Sequence, residues 1–489
     1  MTMLCDAKMQ QGAVRRPVAR KQAGVRMLLG VAVLLLVRIG PPAAAQATPA
    51  AEAAAAPVIT LVVRNARVYD GQRATLTAPT SIWIAADRVA AIGFEPAGVT
   101  LSASSRMLDA GGRIAMPGLI DAHMHPMVIA GFDDLKGMDA NYVMARAAAS
   151  AQATLLRGFT TVRDLGGPSF GLKQAIDEGL IAGPRIFPSG AIVSQSGGHG
   201  DFRSRAAGAQ YRGEPDILEQ RGYTARVDGV DQVLTAVREQ LRLGATQIKL
   251  AAGGGISTPL NPLDSVQLLD EEMRAAVRAA ADYGTYVTVH AYTPQSLRRA
   301  LDAGVRCVEH AHLIDEPTMK LIAERGVFVS TQAYAFSGVF ARPPAPGSPP
   351  PTAAQLFVRA KAERVQAGLD RMMTLAKKHG AKVAFGTDLF GSERVVSLQP
   401  KEFGARLKWF TSAEILQQAT GINGELLSMS GTRNPYAGPV GVLTPGAMAD
   451  LLIVDGNPLE DVRVLEEPDR NLLVIVKDGL VVKDRLPGN

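Results

Sequence analysis

The sequence predicts an α/β fold: a (β/α)8 barrel of the TIM type with a small β-sandwich domain formed from both termini. Three observations carry this. Short apolar runs at 114–120, 160–163, 185–189, 247–251, 286–290, 307–310, 327–331 and 382–387 alternate with helical stretches such as 229–243, 269–283 and 295–303. Eight strands alternating with helices over about 300 residues point to a parallel barrel. Outside that block, strands rich in β-branched residues appear only at the two ends: Leu61–Tyr69 and Ile82–Ile92 before it, Asp450–Val454 and Leu472–Val476 after it, with Asp-Gly turns at 70–71, 455–456 and 478–479. Neither end has enough strands to close its own core, so one shared domain accounts for both. Finally, ionisable residues gather at the C-terminal ends of the predicted barrel strands, where barrel enzymes place their chemistry.

Taken from the N-terminus, residues 1–45 read as a signal peptide. A basic stretch from Arg15 to Arg26 precedes an eleven-residue apolar run, Met27–Val37, and the small-residue site Ala43-Ala44-Ala45 stands before Gln46. The run is shorter than the roughly 20 residues that span a bilayer; an uncleaved anchor is the alternative. This segment holds seven cations and one anion, so the whole net charge of +6 resides in it and the remaining chain is balanced. A balanced chain has no global pull on phosphates, which argues against a nucleic-acid partner. Of the two cysteines, Cys5 leaves with the signal and Cys307 stays alone, which excludes an internal disulfide after cleavage. The Ala- and Pro-rich segment 46–57 is a flexible spacer. The sandwich domain then occupies 58–113 and 436–489, and the barrel 114–435. Two long irregular stretches, 190–226 and the Pro-rich 340–352, read as lids or substrate-binding elements.

The seven histidines are few for 489 residues, and their placement is informative. His123 and His125 end the first predicted strand, and i, i+2 alternation turns both to one side. His290 ends the fifth strand, His310 the sixth and Asp388 the eighth, while Lys249 sits at the end of the fourth. Singly, each has a plainer explanation: a helix-capping Asp, an outward-snorkelling Lys, a His-x-His that binds nothing. Together they would bury several charges without partners, at several kcal/mol each. Imidazole and carboxylate are natural ligands of a divalent cation, which removes that difficulty. His312 repeats the His-x-His spacing and is an alternative to His310. His379 before Gly380 suits a helix end. For His199, in the glycine-rich loop Ser196–Gly200, substrate contact and plain solvent exposure both stand. Arg163 and Asp164 read as a structural ion pair. The run Gly253-Gly254-Gly255 lacks the residues of a phosphate loop and reads as room for substrate.

On the motifs Pro-Gly-Leu-Ile-Asp-Ala-His-Met-His (117–125), Thr-Thr-Val-Arg-Asp (160–164), Gln-Ile-Lys (247–249), Val-His-Ala-Tyr (289–292), Val-Glu-His (308–310) and Gly-Thr-Asp (386–388), the chain resembles the amidohydrolase superfamily. Within it, the resemblance is to the imidazolonepropionase-like branch that includes Xaa-Pro dipeptidases and ochratoxin-hydrolysing amidohydrolases, and it covers about residues 60–485. It implies two divalent ions, expected to be zinc. His123 and His125 would bind one and His290 and His310 the other, with Lys249 bridging as a carbon dioxide-derived carbamate. Asp388 would complete the first ion's shell and shuttle the proton. A free ammonium would repel two dications, so Lys249 makes sense there only in the carbamate form. Tyr292 would form part of a pocket for the substrate's α-carboxylate, with His199 closing over the substrate.

The expected function is therefore hydrolysis of a peptide-like amide with release of a C-terminal amino acid, from a small molecule or dipeptide bearing a free carboxylate. Ring opening of a cyclic amide or lactone is the alternative. A non-catalytic scaffold on the same fold would lack ligands, and here all six are present. The leader implies a periplasmic or secreted protein without stable membrane insertion after cleavage, and the resemblance implies a homo-oligomer.

Overall fold

The computed structural model describes residues 58–96, 99–207, 215–258, 260–339 and 349–487. The expected signal peptide with its cleavage site and Cys5, the spacer at 46–57, and positions 340–348 of the Pro-rich stretch lie outside the described residues. Among the described residues, no helix is long and apolar enough to cross a membrane.

The barrel strands are Leu119–Met124, Phe159–Asp164, Arg185–Phe187, Ile248–Ala251, Val287–Ala291, Cys307–His310, Phe328–Thr331 and Lys382–Phe385. The first three pair in parallel, as do the last five. The third and fourth are joined by Thr246 N donating to Pro188 O at 2.8 Å and by Gln247 Nε2 donating to Phe187 O at 2.9 Å. The eighth returns to the first through Asp388 N donating to His123 O at 2.8 Å. Asn423 Nδ2 stitches the same seam, donating to Ile120 O and Phe385 O at 2.8 Å each. The strands read as continuous apolar runs because helices cover their outer face. Helix Val230–Leu243 shows the pattern: Val233, Val237 and Leu241 fall on one buried stripe, and Gly244 ends the helix in the left-handed conformation.

Two expectations are corrected. The apolar run 114–120 is not one strand but two, Ile114–Pro117 and Leu119–Met124. The break falls at Gly118, where a Cβ would collide with the Thr160 side chain; Ile114–Pro117 turns away to pair with Leu451–Val454 and the end of Val58–Val68. Likewise the stretch 190–226 is not wholly irregular. It contributes short parallel strands Ile192–Ser194 and Thr224–Arg226, the former reaching Leu250 of the fourth barrel strand through Val193.

The terminal sheet runs Leu480–Asp484, Leu472–Lys477, Leu451–Val454, Ile114–Pro117, Val58–Val68, Thr80–Ala85, Arg88–Gly93, with Thr100–Asp109 also pairing with Val58–Val68. Both chain ends therefore share one sheet. Val58–Val68 serves both halves because its pairing shifts between Val63 and Ala66, where Asn65 takes φ 54°. Leu61, Val63 and Ile84 from the N-terminal strands then meet Leu451, Ile453 and Val474 in one core. The last hairpin turns through Asp478 and Gly479, both at positive φ, as a two-residue turn of this kind requires.

Arg185 ties this sheet to the barrel. It leaves the third barrel strand fully buried and pairs with Asp450 and Asp478, while Asp450 also accepts Asp478 N at 2.9 Å. Asp450→Ala leaves the buried guanidinium with the partly exposed Asp478 as its one ion-pair partner among the described residues. It is expected to lower unfolding free energy by about 3–5 kcal/mol, read by denaturant titration; a loss under about 1 kcal/mol would mean the pair contributes no more than a surface bridge.

Candidate active site

Parallel strands of one barrel aim their C-terminal ends at one mouth, and the six candidate ligands meet there. His123, His125, Lys249, His290, His310 and Asp388, together with Tyr292 and His199, line a single cavity of about 150 Å³. Asp388 Oδ1 lies 3.4 Å from His123 Nε2 and 3.3 Å from His125 Nε2. The ring centroids of His123 and His310 are 5.0 Å apart and those of His290 and His310 4.5 Å. His123, His310 and Asp388 each present a ligand atom within 4.8 Å of the others, with His125 and His290 flanking them.

The backbone is strained at two of these positions. His310 and the following Ala311 take φ 77° and 58°, and Asp388 takes φ 51°, a region that non-glycine residues rarely occupy. The strain is held by specific bonds. Asp121, fully buried on the first strand, accepts from Thr387 N at 3.1 Å and Thr387 Oγ1 at 2.6 Å, while Ala311 N donates to Ala291 O at 3.0 Å.

The donor set fits a divalent cation. His125 Nδ1 lies 3.2 Å from Gly166 O, His290 Nε2 lies 3.2 Å from Gly254 O, and His310 Nδ1 lies 2.8 Å from Gln332 Oε1. Each contact calls for an N–H on that nitrogen, which fixes the tautomer and leaves the other nitrogen's lone pair free. Burial pushes the imidazoles of His123, His290 and His310 below their ordinary value, so they are neutral ligands at pH 7. Burial raises the Asp388 carboxyl, and the direction reverses to below the usual carboxylate range only where positive charge sits on the neighbouring rings. Two ligand atoms each about 2.0–2.2 Å from one tetrahedral ion stand about 3.4 Å apart, close to the observed Asp388 separations. Lys249 Nζ is buried with no hydrogen-bond partner among the described residues, and burial brings its ammonium down to about 8. An amine in that state is an orphan in the protein alone.

His199 is partly buried rather than freely exposed: its ring stacks on His290 at 4.0 Å and Nδ1 lies 3.0 Å from Thr258 Oγ1. Burial, with Lys361 next, pushes its imidazole down to about 3. The glycine run makes room for this ring rather than for substrate, since a Cβ at Gly255 would collide with it. His312 turns away from the cavity, its Nε2 3.2 Å from Gln332 O. Arg163 and Asp164 do not pair with each other, because successive strand residues face opposite ways. Arg163 pairs with Glu309 at 2.7 Å, and Asp164 accepts from Ser169 and Gly166 N. Cys307 is buried core, its thiol pushed up to about 12 by burial.

Sequence reasoning missed Asp121, Glu309 and Gln332, and it missed an aromatic wall. Asp121 and Glu309 carried a signal, as carboxylates inside otherwise apolar strands; Gln332 carried none. Phe132 stacks on Phe202 at 3.9 Å, Phe390 meets His125 edge-on at 5.7 Å and Phe336 meets His310 at 5.9 Å, all four lining the cavity.

Comparison with known proteins places this geometry. The model of the Amidohydrolase family matches residues 114–482. The ochratoxinase of Aspergillus niger is 32% identical over 382 residues, 73% of this chain and 73% of that one. A crystal structure of a prolidase complexed with N-methylphosphonate-L-proline superposes with TM-score 0.77 at 35% identity, covering 87% of this chain and 99% of the other. A Xaa-Pro dipeptidase with bound methionine gives TM-score 0.72 at 28% identity, over 86% and 99%. Because the family match takes in every residue of the cavity and the relatives cover most of the chain, this protein belongs to the amidohydrolase family.

Proposed function

We propose that the chain is a periplasmic or secreted hydrolase that cleaves a peptide-like amide and releases a C-terminal amino acid, from dipeptides or from N-acyl amino acids of the ochratoxin type. The cavity's mixed lining carries this reading. It brings the imidazoles, Asp388, Lys249, Tyr292 and His199 together with the apolar side chains of Phe132, Phe202, Phe336, Phe390, Ile192 and Ile256. The polar groups suit an amide next to a carboxylate and the apolar ones an acyl group. Similarity to an ochratoxinase, a prolidase and a Xaa-Pro dipeptidase supports the same substrate range.

In this reading His123, His125 and Asp388 would hold one divalent ion and His290 and His310 the other, with zinc favoured by the imidazole-rich set. Such ions would supply Lewis acidity toward the scissile carbonyl and toward water. Lys249, as the free amine, would add carbon dioxide and lose a proton, and the resulting anionic carbamate would offer a further oxygen ligand. Asp388, ionised, takes a proton from the attacking water and delivers it to the departing nitrogen as the C–N bond breaks. Burial pushes the Tyr292 hydroxyl well above its ordinary value, so it stays protonated and donates a hydrogen bond to the substrate carboxylate. Its ring is held edge-on to His290 at 4.9 Å.

Three experiments test the proposal. Lys249→Ala should be inactive and partly rescued by short carboxylic acids that occupy the bridging position, whereas Lys249→Arg should stay inactive, because a permanent cation cannot take up carbon dioxide. A fully active arginine variant removes Lys249 from the mechanism. Tyr292→Phe should lower kcat/KM for carboxylate substrates about 10–100-fold, the loss of a charge-assisted hydrogen bond of roughly 1.5–3 kcal/mol, and leave an amidated analogue almost unchanged; equal losses on both would assign Tyr292 to the fold. Finally, protein recovered from the periplasm should begin at Gln46 by N-terminal sequencing, and intact residues 1–45 in a membrane pellet would contradict the proposed location.

A further inference from the structure

His123 Nδ1 has two neighbours that require opposite things of it. Gln332 Nε2, an amide donor, lies 3.2 Å away and needs a lone pair there. Glu309 Oε2, an acceptor, lies 2.9 Å away and needs a proton. One ring nitrogen satisfies only one of them.

The surroundings decide in favour of Glu309. Its other oxygen is fixed from behind, Oε1 accepting from Arg163 Nη2 at 2.7 Å and from Thr288 Oγ1, and both Arg163 and Glu309 are fully buried. Among the described residues Oε2 accepts no well-aligned hydrogen bond, His123 Nδ1 included, but at 2.9 Å a lone pair on Nδ1 would leave two electron-rich atoms facing each other. Gln332 loses less, because its 2.8 Å contact with His310 Nδ1 persists whichever way His123 is protonated. The attraction of an N–H for an ionised carboxylate is also stronger than its attraction for a neutral group. Arg163 is further tied to Ala122 O at 2.6 Å, on the residue just before His123, so the carboxylate is registered to the strand whose histidine it faces.

We infer that Glu309 is a positioning residue that selects the Nδ1–H tautomer of His123 and thereby presents the Nε2 lone pair to a divalent cation. The inference rests on the proposed two-ion reading of the site. With the proton on Nδ1, Nε2 and Asp388 Oδ1 face each other across 3.4 Å as two lone-pair donors, an arrangement that a cation between them stabilises. Arg163 supplies the countercharge, so the carboxylate orients the imidazole from the side remote from Asp388.

The test is metal affinity, measured on chelator-stripped protein titrated with Zn2+ against a chromophoric chelator. Wild type should take up two ions per chain. Glu309→Gln should keep one ion at wild-type affinity and bind the other about 10–100-fold more weakly, the range found when a partner behind a metal-bound histidine is removed. Glu309→Asp retains the negative charge beside Arg163 but falls one methylene short of His123, and it should show the same split. The melting temperature of each metal-free variant reports folding, and the aspartate variant serves if the glutamine variant does not fold. Two ions at wild-type affinity in a folded variant overturns the inference. A wild type holding no more than one tight ion overturns the two-ion reading instead.

Discussion

The interaction on which the rest of this structure depends is the fully buried ion pair of Arg163 and Glu309 inside the barrel. A barrel interior is packed with side chains and offers no water to solvate a charge. Once Arg163 and Glu309 neutralise each other, the charges above them must be settled by their own geometry. Glu309 has one oxygen left for His123, Asp388 is surrounded by imidazoles, and Lys249 Nζ has no hydrogen-bond partner among the described residues. Removing one member of such a buried pair typically costs about 3–5 kcal/mol, so the pair fixes a floor beneath the neutral imidazoles and the Lys249 amine, which burial makes easier to deprotonate. Once that proton leaves, the site is set up to take positive charge from outside the chain.

The strain in the backbone points the same way. Positive φ at His310 and Asp388 costs of order 1–3 kcal/mol each. What the strain achieves is orientation: both residues leave their strands at the same mouth and bring a ligand atom to within 4.8 Å of His123. Asp121 enforces it at the eighth strand by holding Thr387 from the first, so the bond that closes the barrel also aims Asp388. Fold and site therefore share the same hydrogen bonds.

How far the sequence discloses this depends on the range of the interaction. The barrel and its ligand-bearing strand ends are legible because apolar runs of strand length and scarce histidines at their ends are local features. The terminal sheet is legible in the same way, as strands in need of partners. Gly118 looks like one more residue of an apolar run; only the approach of Thr160 from another strand makes it a boundary. Arg163 next to Asp164 looks like an ion pair, yet strand alternation separates the two and gives Arg163 a partner 146 positions away. Gly255 looks like open space until the His199 ring is seen against it. Each of these is set by a contact between segments far apart in the chain, which residue spacing does not carry.

The aromatic wall extends that lesson to specificity. Phe132 begins a short helix after the first strand, Phe202 comes from the loop after the third, and Phe390 follows Asp388. They converge because loops on one face of a barrel crowd together, and the stack of Phe132 on Phe202 is braced by Lys136 donating to Phe202 O at 2.7 Å. Barrel strand ends set which atoms can react, and they must stay fixed to keep the ligand geometry. The loops carry no such constraint, so the shape of the aromatic lining can change without disturbing the imidazoles. Tyr292 sits two residues beyond His290 and is packed against it, so it inherits the rigidity of the ligand strand. The cavity thus joins groups fixed at strand ends to aromatic rings carried between the strands. Under the proposed function, those rings determine which acyl groups are admitted, while the strand-end groups hold the amide and carboxylate in the same place for each of them.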